Sequence, residues 1–232
     1  MSRTTHLAAP PDSVGALYFL PGQYLFKRLE NGREIAKALS SEQISRAFRD
    51  FQTDTGWLTR RILRYREEPD GNSFLSYEPA RIRRIFVETD AGEIREINLP
   101  LPTLVLLGRG REFYLWAARG SKVTAETRLA LAPLPNVGGD NYQGKICFGK
   151  NEVPEARADC VEAVWNLVFN APFNSHHANG KCRSAAEDVR KLLFDLAKRN
   201  AKSFPSLELF ESNTTVEQVW ARIVENKSSY RF

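Results

Sequence analysis

Residues 133–148 read Pro-Leu-Pro-Asn-Val-Gly-Gly-Asp-Asn-Tyr-Gln-Gly-Lys-Ile-Cys-Phe. This glycine-rich stretch has Asn136 near one end and Cys147 near the other. A thiolate is a nucleophile that can carry an acyl group, and the N–H of a side-chain amide can stabilise the oxyanion of acyl transfer. A long irregular segment inside a compact domain is usually functional or disordered. The stretch therefore predicts a thioester-forming site at Cys147.

The neighbours of Cys147 also allow a structural interpretation. If Ile146 and Phe148 anchor the segment to the core, the thiol between them points the opposite way, outward. A free cysteine is otherwise often a small buried hydrophobe, and Asn136 belongs to a residue type that forms turns. Both interpretations stay open beside the catalytic one.

The chain contains three cysteines, and an odd number argues against a closed disulfide framework. Cys160 occupies an apolar helical position and is expected in the core, whereas Cys182 stands between two basic residues and is expected at the surface. The spacing lacks the paired pattern of structural zinc sites, so no metal and no cofactor are expected. A site built from these thiols with His176 and His177 is the open alternative.

Composition favours a soluble protein. The 232 residues are 42% hydrophobic, which is enough for a sizeable core. No run approaches the roughly 18 apolar residues of a membrane span, and the N-terminus lacks the apolar region of a secretory signal. We therefore expect a cytoplasmic protein without a membrane partner.

The net charge of +5 comes from dispersed basic residues, so nucleic-acid binding is not expected. An accessory protein that binds nucleic acid through its arginines is an alternative.

Turn signals and apolar periodicity predict an α+β fold, an antiparallel β-meander flanked by helices. Asn31-Gly32 between two apolar runs predicts a hairpin, and Ser40 or Ser41 is expected to cap an amphipathic helix. Ser184 with Glu187 predicts a capping box for a later helix. Strands are expected at 14–20, 24–29, 33–39, 82–89, 94–99, 103–107 and 112–118, helices at 42–51, 156–169, 184–198 and 214–224, and a surface loop or short strand at 54–76.

The same pattern predicts the organisation of the chain. A disordered tail is expected over 1–12, N-terminal strands and an amphipathic helix over 13–75, and the catalytic core with its C-terminal helices over 76–232. The two parts are expected to form one compact unit.

The glycine-rich stretch resembles the active-site signature of ubiquitin-conjugating enzymes. In that family a His-Pro-Asn triplet precedes Gly-x-Ile-Cys-Leu. The residues that match are Pro135, Asn136, Gly144, Ile146 and Cys147. Leu134 replaces the histidine, and the gap to the cysteine is a few residues longer. With these departures the chain is similar, over about residues 80–180, to the prokaryotic ubiquitin-conjugating-enzyme-like family D, which includes PRTRC system protein B.

This resemblance implies a ubiquitin-conjugating-enzyme-like fold and a transferase. Cys147 would accept a ubiquitin-like modifier from a ThiF-like activating enzyme and pass it to an amine of a target protein, with a JAB-type deconjugating peptidase as a neighbour. Some such sets serve in antiphage defence. Asn136 would stabilise the oxyanion, and His176 or His177 would polarise the thiol or the amine. A non-catalytic module that only binds the modifier is the alternative.

The general base is not fixed by the motif. Asp140, Glu152 and His176 are candidates by their place in the chain, and His titrates near neutral pH. A loop histidine that caps the backbone is the structural alternative for His176 and His177.

Overall fold

The computed structural model describes residues 15–30, 32–44, 61–67, 71–138 and 144–225. The chain divides into two compact units, 1–56 and 57–232, and each is described by itself. The tail predicted over 1–12 and most of the helix predicted over 42–51 lie outside the described residues.

The first unit contains a three-stranded antiparallel sheet in the order β1-β2-β3. Glu30 pairs directly with Arg33, which leaves a two-residue connection, and Gly32 in it has a φ of 74°. This geometry confirms the predicted hairpin, because two-residue loops between antiparallel strands need positive φ angles. The strands are β1 (Ala16–Leu20), β2 (Gln23–Glu30) and β3 (Arg33–Leu39).

A helical turn follows the sheet and begins after Ser40. The hydroxyl of Ser40 accepts a hydrogen bond from the backbone N–H of Gln43 at 3.2 Å, and the Gln43 side chain accepts one from the Ser40 backbone at 3.0 Å. These reciprocal bonds form a capping box and confirm Ser40 as the N-cap.

The described strands of the second unit form two antiparallel sheets. The strands are β4 (Ile62–Arg66), β5 (Ser73–Glu78), β6 (Arg81–Glu88), β7 (Ile94–Leu101), β8 (Thr103–Arg109), β9 (Glu112–Ala118), β10 (Arg128–Leu131) and β11 (Glu211–Thr215). Six of them form one sheet in the order β11-β10-β9-β8-β5-β4, and β6 pairs with β7 in a separate hairpin. The pairs β6–β7 and β8–β9 are antiparallel hairpins, as predicted, but the two hairpins belong to different sheets and β8 pairs with β5 on its other side. The continuous meander predicted over these four strands is therefore wrong.

In the described part of this unit the α-helices are α1 (Val161–Asn170), α2 (Val189–Lys198) and α3 (Val216–Ile223). Together with the antiparallel sheets they confirm the α+β class. Within the described residues, no helix has the length and apolar character that crossing a membrane requires.

The predicted capping box at Ser184 and Glu187 is wrong. Helix α2 is capped by Asp188, whose carboxylate accepts a hydrogen bond from the backbone N–H of Arg190 at 2.9 Å. The backbone N–H of Ser184 instead donates to the carboxylate of Glu208, which is distant in sequence. A tertiary contact therefore holds Ser184 outside the helix.

The surface loop or short strand predicted over 54–76 is wrong for its last residues. They belong to β5, a buried strand in the interior of the six-stranded sheet. Ser76 is fully buried, and its hydroxyl accepts a hydrogen bond from the indole N–H of Trp165 at 3.1 Å. Glu78 is buried among arginines. The polar residues of β5 are buried because they bond to residues elsewhere in the fold, which the local sequence pattern does not show.

Both faces of the six-stranded sheet are covered. Leu104 and Leu106 belong to a large core that also includes residues of the β6–β7 hairpin, and α1 contacts β6 while α2 contacts β7. Val105 and Leu107 alternate with them and belong to a second core with Trp220 of α3. The sheet is therefore a rigid platform for the loops at its ends.

Candidate active site

Cys147 and Asn136 lie next to each other because the main chains of their segments pair. The backbone N–H of Cys147 donates a hydrogen bond to the carbonyl of Asn136 at 2.7 Å. Beside this bond, Val137 and Ile146 form an antiparallel bridge. The two residues that the glycine-rich stretch predicts to act together are thus neighbours in the structure.

The segment that carries Cys147 is attached to the start of β9. The N–H of Ile146 donates to the carbonyl of Phe113, and the N–H of Leu115 donates to the carbonyl of Gly144, both at 2.8 Å. Gly144 has a φ of 84°, and a Cβ atom there would lie 2.9 Å from the carbonyl oxygen of Leu115. A glycine is therefore required where the segment meets the strand.

The thiol of Cys147 is half-buried and free of any disulfide. Its neighbours Ile146 and Phe148 pack against the large core, and the rings of Phe148 and Phe113 meet edge to face at 6.0 Å. The apolar neighbours anchor the segment, as expected, so that the thiol between them is not part of the core.

Asn136 has a left-handed backbone, with a φ of 60°. Asparagine tolerates this conformation better than most residues, so its backbone fits the turn-forming interpretation. Its N–H donates to the carbonyl of His176 at 2.6 Å, and its side-chain Nδ2 donates to the carbonyl of Pro172 at 3.2 Å. The side-chain oxygen is buried and has no hydrogen-bond partner among the described residues. Asn136 thereby connects the cysteine segment to the loop that carries both histidines.

His176 and His177 stack on each other with their ring centroids 3.9 Å apart. His176 is exposed and His177 is half-buried. Burial lowers the pKa of His177, and the charges of His176 and Lys181 lower it further. A lowered pKa favours the neutral ring, which is the form that can accept a proton. Of the other candidate bases, Glu152 is exposed and Asp140 lies outside the described residues.

The expectations for the other two cysteines are wrong. Cys182 is fully buried, its thiol donates to the carbonyl of Ala185 at 3.4 Å, and burial raises its pKa. The basic residue before it does not keep it at the surface, because Lys181 is itself buried. Cys160 is only half-buried, since it precedes the first turn of α1 beside Asp159.

These environments predict an order of thiol reactivity. We expect native Cys182 to resist Ellman's reagent until the protein unfolds, because its sulfur is inaccessible and a thiolate is the reactive form. Cys160 should react more slowly than Cys147, since burial and the neighbouring Asp159 raise its pKa. Mass spectrometry of the labelled peptides over time measures the order. Equal labelling of Cys182 and Cys147 in the native protein would contradict it.

The residues within the described ranges contain no group of three His, Cys, Asp or Glu side chains arranged to hold a metal ion. Cys147, Cys182 and both histidines are among the residues described.

Two contacts of the site were not predicted. The carbonyl of Pro172 accepts from the Asn136 amide, and the ammonium of Lys181 donates to the carbonyl of Val137 at 2.6 Å. The sequence contains no pattern that predicts either contact. Every residue has a backbone carbonyl, so the acceptors are not distinctive, and a lysine is rarely buried, so Lys181 was not expected inside the fold.

Comparison with known families identifies a match over most of the chain. A model of the prokaryotic E2 family D matches residues 36–212, which is about three quarters of the chain and includes every residue of the site described above. No curated protein and no solved structure matches the chain. The chain belongs to the prokaryotic E2 family D.

Proposed function

We propose that the protein is a ubiquitin-like-protein conjugating enzyme that carries its modifier as a thioester on Cys147. The observation that supports this most is the 2.7 Å hydrogen bond between the backbones of Cys147 and Asn136. It joins the main chain of the residue that carries a half-buried thiol to that of the residue that carries a side-chain amide, the two groups that thioester chemistry uses. Membership of the prokaryotic E2 family D supports a ubiquitin-conjugating-like role.

The first step is transfer between two sulfur atoms. The thiolate of Cys147 attacks the carbonyl carbon of the modifier, which arrives as a thioester on a ThiF-like activating enzyme. A carbon–sulfur bond to Cys147 forms, the bond to the activating enzyme breaks, and the departing thiolate takes up a proton. One thioester replaces another, so the bond energy changes little.

The second step is transfer to nitrogen. A neutral amine of the target attacks the thioester carbon, and Asn136 donates its remaining side-chain N–H to the oxyanion. His177 accepts the proton that the amine loses, and His176 stacks against its ring. The carbon–nitrogen bond then replaces the carbon–sulfur bond, and Cys147 leaves as a thiolate.

The ubiquitin-conjugating-enzyme fold and the setting of the reaction belong to the same proposal. The motif around Cys147 supports a cytoplasmic PRTRC-like or antiphage system, in which a ubiquitin-like modifier, an activating enzyme, a target protein and a JAB-type peptidase act with this chain. Nucleic acid and membrane have no part in the proposed reaction.

Reconstitution tests the proposal. The protein is mixed with ATP, the activating enzyme and the ubiquitin-like protein encoded beside it, and gels are run with and without reductant. We expect an adduct that reductant removes, its loss in Cys147→Ala, and a reductant-resistant adduct in Cys147→Lys. Cys160→Ala is the matched control and should load normally. An adduct that survives in Cys147→Ala, or no adduct in any mixture, would overturn the catalytic proposal, and stable binding without an adduct would favour a non-catalytic module.

A further inference from the structure

Lys181 is a buried lysine behind the candidate site. Only 1% of its surface is exposed. The chain on either side of it is anchored, since the N–H of Gly180 donates to the carbonyl of Ala186 at 2.6 Å and Cys182 is fully buried. Burial of an ammonium group is unfavourable unless hydrogen bonds or charges compensate it. A buried lysine at this position therefore suggests a specific role for its ammonium group.

The ammonium donates to the carbonyl of Val137 at 2.6 Å. Val137 follows Asn136 and bridges to Ile146, which precedes Cys147. The hydrogen bond therefore fixes the main chain at Val137, beside Asn136 and across from the residue that precedes Cys147. A displacement of about 1 Å at such a segment can lower a catalytic rate by roughly 100-fold.

The charge of Lys181 also acts on the site. It is one of the two charges that lower the pKa of His177, the other being that of His176. The same ammonium thus contacts the main chain beside Asn136 and acts on the ring that is proposed to accept the proton.

We propose that Lys181 is a positioning residue of this site: its buried ammonium fixes the carbonyl of Val137, and so the segment between Asn136 and Cys147, and supplies a positive charge beside His177. This role in catalysis rests on the proposed function. The contact and the charge are properties of the folded protein alone.

Three substitutions separate the hydrogen bond from the charge. Lys181→Arg keeps both, Lys181→Gln keeps a donor without the charge, and Lys181→Met removes both. Lys198→Met, at an exposed lysine of α2, is the matched control.

Hydrogen exchange measures the positioning. We expect the Cys147 amide, which donates to Asn136, to exchange at least about tenfold faster in Lys181→Met than in the wild type, with little change in Lys181→Gln. Amides in the interior of the sheet, such as that of Leu106, should keep their rates. Equal acceleration of all amides would indicate general destabilisation and would overturn the positioning role.

An NMR titration of His177 measures the charge. Removal of a positive charge favours protonation, so the pKa of His177 should rise in Lys181→Met and Lys181→Gln and stay low in Lys181→Arg. If the neutral variants do not fold, titration of His177 in the wild-type protein still tests the effect of the Lys181 charge. A His177 pKa at or above its ordinary value of about 6.5 would overturn that effect. Unchanged exchange and unchanged titration in a folded Lys181→Met variant would overturn the whole proposal.

Activity gives the last readout. In the reconstituted system, Lys181→Met should discharge its thioester about 100-fold more slowly than the wild type and Lys181→Gln less so. If the wild type forms no adduct, the proposed function fails, while exchange and titration still test Lys181 independently.

Discussion

Replacement of Asn136 by glycine is expected to leave Cys147 loaded with its modifier but to slow discharge to an amine by about 100- to 1000-fold. The reason is that glycine adopts the φ of 60° at this position without strain, so the hydrogen bond from Cys147 to the backbone carbonyl persists. The side-chain amide alone is lost, and with it the proposed oxyanion donor.

Single-turnover discharge of the preloaded thioester to free lysine is the measurement. Asn200 is the matched position, because it is also an asparagine with a left-handed backbone, at a φ of 50°, and it lies at the end of α2. Asn200→Gly should discharge at the wild-type rate. A wild-type discharge rate in Asn136→Gly would refute the oxyanion role, and a loss of loading would mean that the contact with Pro172 holds the site together.

Replacement of Glu78 by glutamine is expected to lower the free energy of unfolding by about 3–5 kcal/mol. Glu78 is only 2% exposed and forms ion pairs with three guanidinium groups, those of Arg61 at 2.5 Å, Arg81 and Arg83. Without the carboxylate, three positive charges on partly exposed side chains surround a buried neutral group. Burial already lowers the pKa of Arg83, so the loss of its compensating charge is costly.

Urea denaturation at neutral pH measures this effect. Glu93→Gln is the control, because Glu93 and its partner Arg95 are 65% and 62% exposed, and such surface pairs contribute about 1 kcal/mol or less. A change in Glu78→Gln no larger than that of the control would show that the arginines relax into solvent once the carboxylate is gone.

Local signals predicted the elements whose stabilising bonds are also local. The connection between β2 and β3 needs only a glycine with a positive φ, and that glycine follows an asparagine in the sequence. Helix α3 begins at Thr215, where the Thr215 and Gln218 side chains complete a capping box within one turn. Such interactions can be inferred from neighbouring residues without knowledge of the rest of the fold.

Elements that depend on distant partners were missed. In β5, the polar residues Ser76 and Glu78 are buried because Trp165 and a group of arginines satisfy them. Because such polar residues are typical of the surface, the sequence predicts a surface loop or short strand over 54–76, a range that includes Ser76. The short strands β10 and β11 offer too few residues for a pattern to emerge.

In the candidate site, too, the features with a local sequence motif were predicted and those that depend on distant residues were not. The motif predicted that Asn136 and Cys147 act together, and the structure brings them into contact. Their roles, and those of the two histidines, stay predictions. The contributions of Pro172 and Lys181 come from 36 and 44 residues further along the chain than their partners, and both end on main-chain carbonyls. No arrangement of side-chain types in a sequence encodes such a bond.

The hydrogen bond between Cys147 and Asn136 has a practical consequence for finding partners. It joins backbone atoms only, so it does not depend on the sulfur atom. We therefore expect a Cys147→Ser variant to keep this hydrogen bond and to present the same surface as the wild type. Such a copy, which cannot form the proposed thioester, would serve as bait and retain from cell extracts the proteins that bind this surface.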